Sequence, residues 1–286
     1  RIPVEAAAVP LDPGDPARTE VDGFRYAGGI ALTSSATSRL HGLSDLAVAA
    51  DGSFISPTDD GDIVTGRILL GDDGRLVGVG DAVLKPLLGK EGQPLQGKGE
   101  GDAEGLTVLG SGQMLISFER DHRIWSYDRA GKPTLVNMPD ARFAENDGME
   151  GLAPAQGLHG DAFGVGGEPG GIWYCILKVS CTAVPDLPVP PTGYRLSGLA
   201  SGPGGELVIL HHSFIPAIGS RLIVTVVRDP MGKKAVIGRL AMSPSSTVDN
   251  FEGVAVTTHP NGDWRLYLLS DDNFNDRQRT ILLAFD

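Results

Sequence analysis

Five copies of one short pattern constrain this chain more than any other feature. LSDLAV at 43–48, AEGLTV at 103–108, MEGLAP at 149–154, LSGLAS at 196–201 and FEGVAV at 251–256 share a polar residue near the start and an apolar finish. Counted at Asp45, Glu104, Glu150, Ser197 and Glu252, the copies are 59, 46, 47 and 55 residues apart. A period of ~40–50 residues with β-like content is the signature of propeller blades.

The interior of each unit fits a four-stranded blade. After AEGLTVL come the turn GSG, the apolar run QMLISFE, the turn RDH, the alternating RIWSYD, the turn RAGK and then PTLVNM. The units that begin at 43 and 194 read the same way, the first followed by a Gly/Lys-rich insertion over 81–102. The last unit, FEGVAV, WRLYLLSDD and TILLAFD, is one strand short, and FRYAGGIALTS at 24–34 is free to supply it. A ring closed in this way leaves no bare edge strand. The expectation is an all-β propeller of five blades, or six if the insertions hide another. It occupies 22–286 as one domain behind an extended Pro/Ala/Asp-rich lead-in over 1–21. The 40 glycines and 20 prolines suit many short elements joined by turns. A start on Arg1 rather than Met points to a processed or trimmed chain.

A net charge of −12 opposes a general affinity for nucleic acid or anionic membranes. No run approaches the roughly 18 apolar residues of a membrane span. Cys175 and Cys181 fit a disulfide in an oxidising compartment, or two buried thiols, and no further Cys or His pair completes a zinc site. No G-x-S-x-G elbow is present, and GVGGEPGG at 164–171 does not lead from a strand into a helix. Trp125, Trp173 and Trp264 lie in apolar strands and read as blade packing.

In a blade the first strand lines the channel and the second returns antiparallel, so the start of one and the end of the other share a face. Strand-one starts carry Asp45, Glu104, Glu150, Ser197 and Glu252. Strand-two ends carry Asp59 and Asp60, Glu119, Glu168, His211 and His212, and Asp271 and Asp272. His211 and His212 point to opposite faces, so at most one faces the channel. An acidic residue at a strand end also serves simply as a turn cap. Gathered at one mouth, however, these carboxylates call for a cation, and Ca2+ accepts six to eight oxygen ligands. Arg120, Arg123, Lys178 and Arg195 nearby read as salt-bridge partners, or as grips for a phosphate or carboxylate.

GLSDLAVAADGSFISPTDDG, GDAEGLTVL, ISFERDHRIWSYD, NDGMEGLAP, YRLSGLA, NFEGVAV and YLLSDDNFNDRQRTILLAFD together resemble the bacterial phytase-like family, the "esterase-like activity of phytase" domain. The resemblance runs from about Val9 to Asp286. It implies an exported, periplasmic or secreted propeller whose acidic residues act in phosphoester chemistry. The matching acidic positions are Asp60, Glu104, Glu119, Glu150, Glu252, Asp271 and Asp272. Asp45 and the histidines of LHHSF depart from the pattern. The expectation is a monomeric, Ca2+-dependent hydrolase of a small phosphate ester. Glu104, Glu150, Glu252, Asp60 and Asp271 would be metal ligands, Glu119 or Asp272 the general base, and Arg120 or Arg195 the oxyanion partner. Two alternatives stand beside it: a lactone or carboxylic-ester hydrolase, and a binding or scaffold propeller with a structural cation.

Overall fold

Alternating apolar residues on short strands cannot bury both faces within one small sheet, so each sheet must pack against neighbours. A computed structural model, which describes residues 1–155, 161–259 and 262–286, places five antiparallel sheets as the blades of a ring. From the channel outward, blade one is Ala47–Val48, Ser53–Pro57, Asp62–Leu70 and Leu76–Pro86. Blade two is Ala103–Val108, Met114–Phe118, Arg123–Tyr127 and Pro133–Val136. Blade three is Gly151–Ala155, Ala162–Gly166, Ile172–Ile176 and Ser180–Ala183. Blade four is Arg195–Ser201, Leu207–Ile215, Gly219–Arg228 and Ala235–Met242. Blade five is Asn250–Thr258, Trp264–Asp271 and Ile281–Phe285. Phe24–Thr33 from the other end of the chain completes it, with Glu5–Ala8 added outside.

The core is divided among the seams between blades. Val208, Leu210 and Val224 of blade four meet Phe251 and Leu268 of blade five. Phe54 and Val64 of blade one meet Leu269 and Leu282 of blade five. Leu115 and Ile124 meet Leu152 and Phe163 across the seam of blades two and three. Trp125 stacks edge-on to Phe118 at 5.4 Å within blade two. Cys175 and Cys181 face each other across the outer hairpin of blade three and are joined as a disulfide, which decides between the two states left open.

Two expectations change. The insertion expected over 81–102 begins later, because 81–86 continue the outer strand to Pro86 past a bend at Asp81, where φ is 51°. The copies of the repeat also align one residue differently in blade one. Leu43 pairs with Thr58 as Ala103 pairs with Phe118, so Ser44, not Asp45, stands in the slot of Glu104. Asp45 stands where the other four copies have glycine.

That glycine slot is where the inner strands come closest. A Cβ on Gly198 would lie 2.3 Å from the Glu252 carbonyl oxygen, and one on Gly151 would lie 2.5 Å from the Leu199 nitrogen. In blade one, whose inner strand is only Ala47–Val48, the Asp45 side chain does the joining. Its fully buried carboxylate accepts the N–H groups of Leu46 and Leu106 at 2.7 Å each, and that of Val254. It thus stitches blade one to blades two and five. Asp45→Ala strands these buried donors and should lower the unfolding free energy by about 3 kcal/mol in urea titration. A change within experimental error would mean that water replaces the carboxylate without loss.

Candidate functional site

On each inner strand one extra residue interrupts the pairing with the second strand. Leu196 pairs with His211 but Gly198 with Leu210, and Phe251 pairs with Ser270 but Gly253 with Leu269, leaving Ser197 and Glu252 as the extra residues. Blade two repeats the device at Glu104 and Gly105, opposite Ser117. Such bulges re-aim a side chain. Here they define an inner ring of Ser44, Glu104, Glu150, Ser197 and Glu252.

The second ring follows from the next pairing. The Asp59, Glu119 and Glu168 N–H groups donate to the Gly42, Asp102 and Gly148 carbonyls at 3.0, 2.9 and 3.0 Å. His212 and Asp271 occupy the same place, opposite Arg195 and Asn250. The outer ring is therefore Asp59, Glu119, Glu168, His212 and Asp271.

Among the described residues two groups of carboxylates have oxygens within 4.8 Å of one another: Asp59, Asp102 and Glu104, and separately Glu119, Glu150 and Glu168. The first is partly neutralised. Lys98, on the short helix Gly97–Gly101 of the insertion, places Nζ 2.9 Å from Asp59 Oδ2 and 3.6 Å from Asp102 Oδ1. Arg120 Nε lies 2.5 Å from Asp102 Oδ2. In the second group Arg195 meets Glu168 at 2.7 Å and also holds Asp147, while Glu119 and Glu150 have no direct basic partner among the described residues.

Burial, and then repulsion, raises these carboxyls. Glu104 is pushed well up by desolvation and by Glu150, Asp59 and Glu252. Glu150 is raised by desolvation and by Glu168 and Glu119, and Glu252 by desolvation and by Asp271, Asp59 and Glu150. Asp271 is raised by desolvation and by Asp59. Half-buried Glu119 is raised to about 7, by desolvation first and then by Asp102. Residues far apart in sequence and drawn from four blades thus share one electrostatic environment.

The candidates named from sequence divide accordingly. Glu104, Glu119, Glu150, Glu252 and Asp271 lie at the mouth, although Glu104 and Glu150 fall in different close groups. Asp60 lies on the rim, 3.8 Å from His41, and its neighbour Asp59 takes the inward place. Asp272 anchors a turn, accepting from Gly42 N at 3.0 Å, Phe274 N at 3.2 Å and Thr280 Oγ1 at 3.0 Å. Arg120 and Arg195 are engaged in the ion pairs above. Asp102 and Lys98 carry no signal in the sequence, because each belongs to the insertion or its edge rather than to the repeat.

The donors fit a hard cation. They are carboxylate oxygens whose mutual repulsion a divalent ion would relieve, and oxygen-rich sets of this kind suit Ca2+.

Residues 38–159 match the family model described as Phytase-like, esterase-like activity of phytase. The chain resembles that family, and the match covers a shorter stretch than the motifs do. No curated protein matches the chain. Among solved structures, a candidate gluconolactonase aligns over 100% of this chain and 94% of its own, at 13% identity and a TM-score of 0.51. A gluconolactonase from Xanthomonas campestris aligns over 99% of each chain at 13% identity and a TM-score of 0.46. Virginiamycin B lyase from Staphylococcus aureus aligns over 99% of each at 10% identity and a TM-score of 0.46. At such identities the first of these supports the fold alone.

A carboxyl whose folded pKa is raised binds more protons in the native than in the unfolded state, so stability falls as pH rises through that window. For Glu119 the window runs from the ordinary value of 4.5 to about 7. In chelator, the melting temperature should fall between about pH 5 and about pH 8. Added Ca2+ should flatten that slope. A melting temperature that rises with pH in chelator would contradict the clustering.

Proposed function

We propose that the chain is a divalent-cation-dependent hydrolase acting on a neutral ester, either a lactone or a simple carboxylic ester. The observation that carries this reading is the mutual repulsion of Glu104, Glu150 and Glu252 at one mouth, where the Glu119 carboxyl is itself raised to about 7. A bound Ca2+ would act as a Lewis acid toward the carbonyl oxygen. Glu104, Glu150 and Glu252 would hold it, with Asp59 and Asp271 behind them. Glu119 is suited to proton transfer, since a group that titrates near the working pH both takes and returns a proton. It removes a proton from water as the water oxygen adds to the carbonyl carbon. The acyl–oxygen bond then breaks, and the proton passes to the departing alkoxide. Asp272 is held by three donors and serves the turn instead.

A phosphate ester is the second reading, favoured by the phytase-like match over 38–159. Against it stand the acidity of the mouth and the engagement of Arg120 with Asp102 and of Arg195 with Asp147 and Glu168. Among the described residues no helix is long and apolar enough to cross a membrane. The disulfide suits an oxidising, extracytoplasmic compartment.

The test is turnover of para-nitrophenyl acetate and δ-valerolactone with added Ca2+, compared with bis-para-nitrophenyl phosphate. Chelator should abolish hydrolysis of the neutral esters, and Glu150→Gln should lower kcat/KM about a hundredfold. Glu119→Gln should lower kcat and remove the acid limb of the pH profile. Thermal stabilisation by Ca2+ without turnover of any ester would make the propeller a binding scaffold.

A further inference from the structure

Both rings change character at blade four. Ser197 stands where blades two, three and five carry glutamate, and His212 where the other four carry aspartate or glutamate. The shorter serine leaves room. Beside it lies a cavity of about 310 Å³, lined by Glu150, Ser197, His212, Phe214, Asn250 and Glu252. That volume suits a small organic ligand.

The lining is rich in acceptors. Ser197 donates its hydroxyl proton to the Phe251 carbonyl at 3.0 Å, and Asn250 donates from Nδ2 to Glu252 Oε1 at 2.7 Å. Their remaining oxygen lone pairs, like the carboxyl oxygens of Glu150 and Glu252, can accept hydrogen bonds from a ligand's hydroxyls. Among the described residues neither ring nitrogen of His212 has a hydrogen-bond partner, which is unusual for so enclosed a ring; Nε2 is sealed from solvent, which leaves Nδ1 as the nitrogen a ligand can reach. The same burial lowers the His212 pKa to about 4, so the ring is neutral near pH 7. Phe214, 62% exposed, offers an apolar face at the rim. Arg195 borders the cavity but is held by Asp147 and Glu168. Among the described residues, an anion entering here would meet carboxylates and no free cation.

We propose that the blade-four cleft is a subsite for a neutral, hydroxyl-bearing ligand, with His212 hydrogen-bonding one of its hydroxyls. On the hydrolase reading this ligand is the hydroxyl-bearing part of the ester, and only that identification rests on that reading. The cleft binds hydroxyls through Ser197, Asn250 and His212, while Phe214 covers a carbon face.

The test uses the full chain in chelator, so that no turnover is needed, with myo-inositol as the neutral probe. NMR follows the His212 imidazole resonances during titration. The expected result is a saturable shift at millimolar probe. Ser197→Glu, which refills the cavity with the repeat's usual side chain, and His212→Phe should each weaken binding by about tenfold or more. His212→Gln, which restores a hydrogen-bonding group, should recover part of it. Thermal melts confirm that each variant is folded, and His212→Phe alone decides the matter if Ser197→Glu does not fold. No shift of His212, unchanged affinity in folded His212→Phe, or tighter binding of inorganic phosphate or of n-propylammonium would overturn the proposal. Ester turnover without polyol binding defeats the subsite alone, and polyol binding without turnover defeats the hydrolase reading alone.

Discussion

Antiparallel pairing of the two innermost strands, interrupted by one extra residue, governs the whole mouth of this propeller. Pairing fixes which residue of the second strand stands beside the start of the first. The bulge then turns the extra residue inward, toward the axis. Because the register repeats blade by blade, ten positions scattered from Ser44 to Asp271 become two concentric rings. The glycine after each of four inner-ring residues lets neighbouring strands approach, and in blade one Asp45 takes that place and bonds the neighbouring backbone instead.

The rings concentrate like charge in a place that water reaches poorly. Such an arrangement opposes folding unless something offsets it, and functional sites are where proteins tolerate that opposition. The chain offsets part of it internally. Lys98 and Arg120 serve Asp59 and Asp102, and Arg195 serves Glu168. Glu104, Glu119, Glu150 and Glu252 are left with raised proton affinities, which makes them responsive to a cation or to pH.

The fold was legible in the sequence because one pattern recurs five times and a final unit lacks a strand that 24–34 can supply. The meeting of Glu104 with Glu119 followed from hairpin geometry alone. What could not be read was phase. Asp59 beside Asp60, and Asp271 beside Asp272, differ by one residue, and in a strand one residue exchanges the two faces. Only the pairing of Asp59 with Gly42 and of Asp271 with Asn250 separates inward from rim positions. The same ambiguity placed Asp45 in the ring in place of Ser44. Lys98 was illegible for another reason, since it lies in an insertion with no counterpart in the other repeats and reaches the mouth through tertiary packing.

Blade five joins Phe24–Thr33 to Ile281–Phe285, strands some 250 residues apart, in one sheet. A ribosome releases the first of these long before the second exists. Until then Phe24–Thr33 has no Ile281–Phe285 to pair with, and the toroid cannot shut. Closure is therefore a late event in the life of the nascent polypeptide, and the acidic mouth, which needs blades one and five side by side, matures only with it.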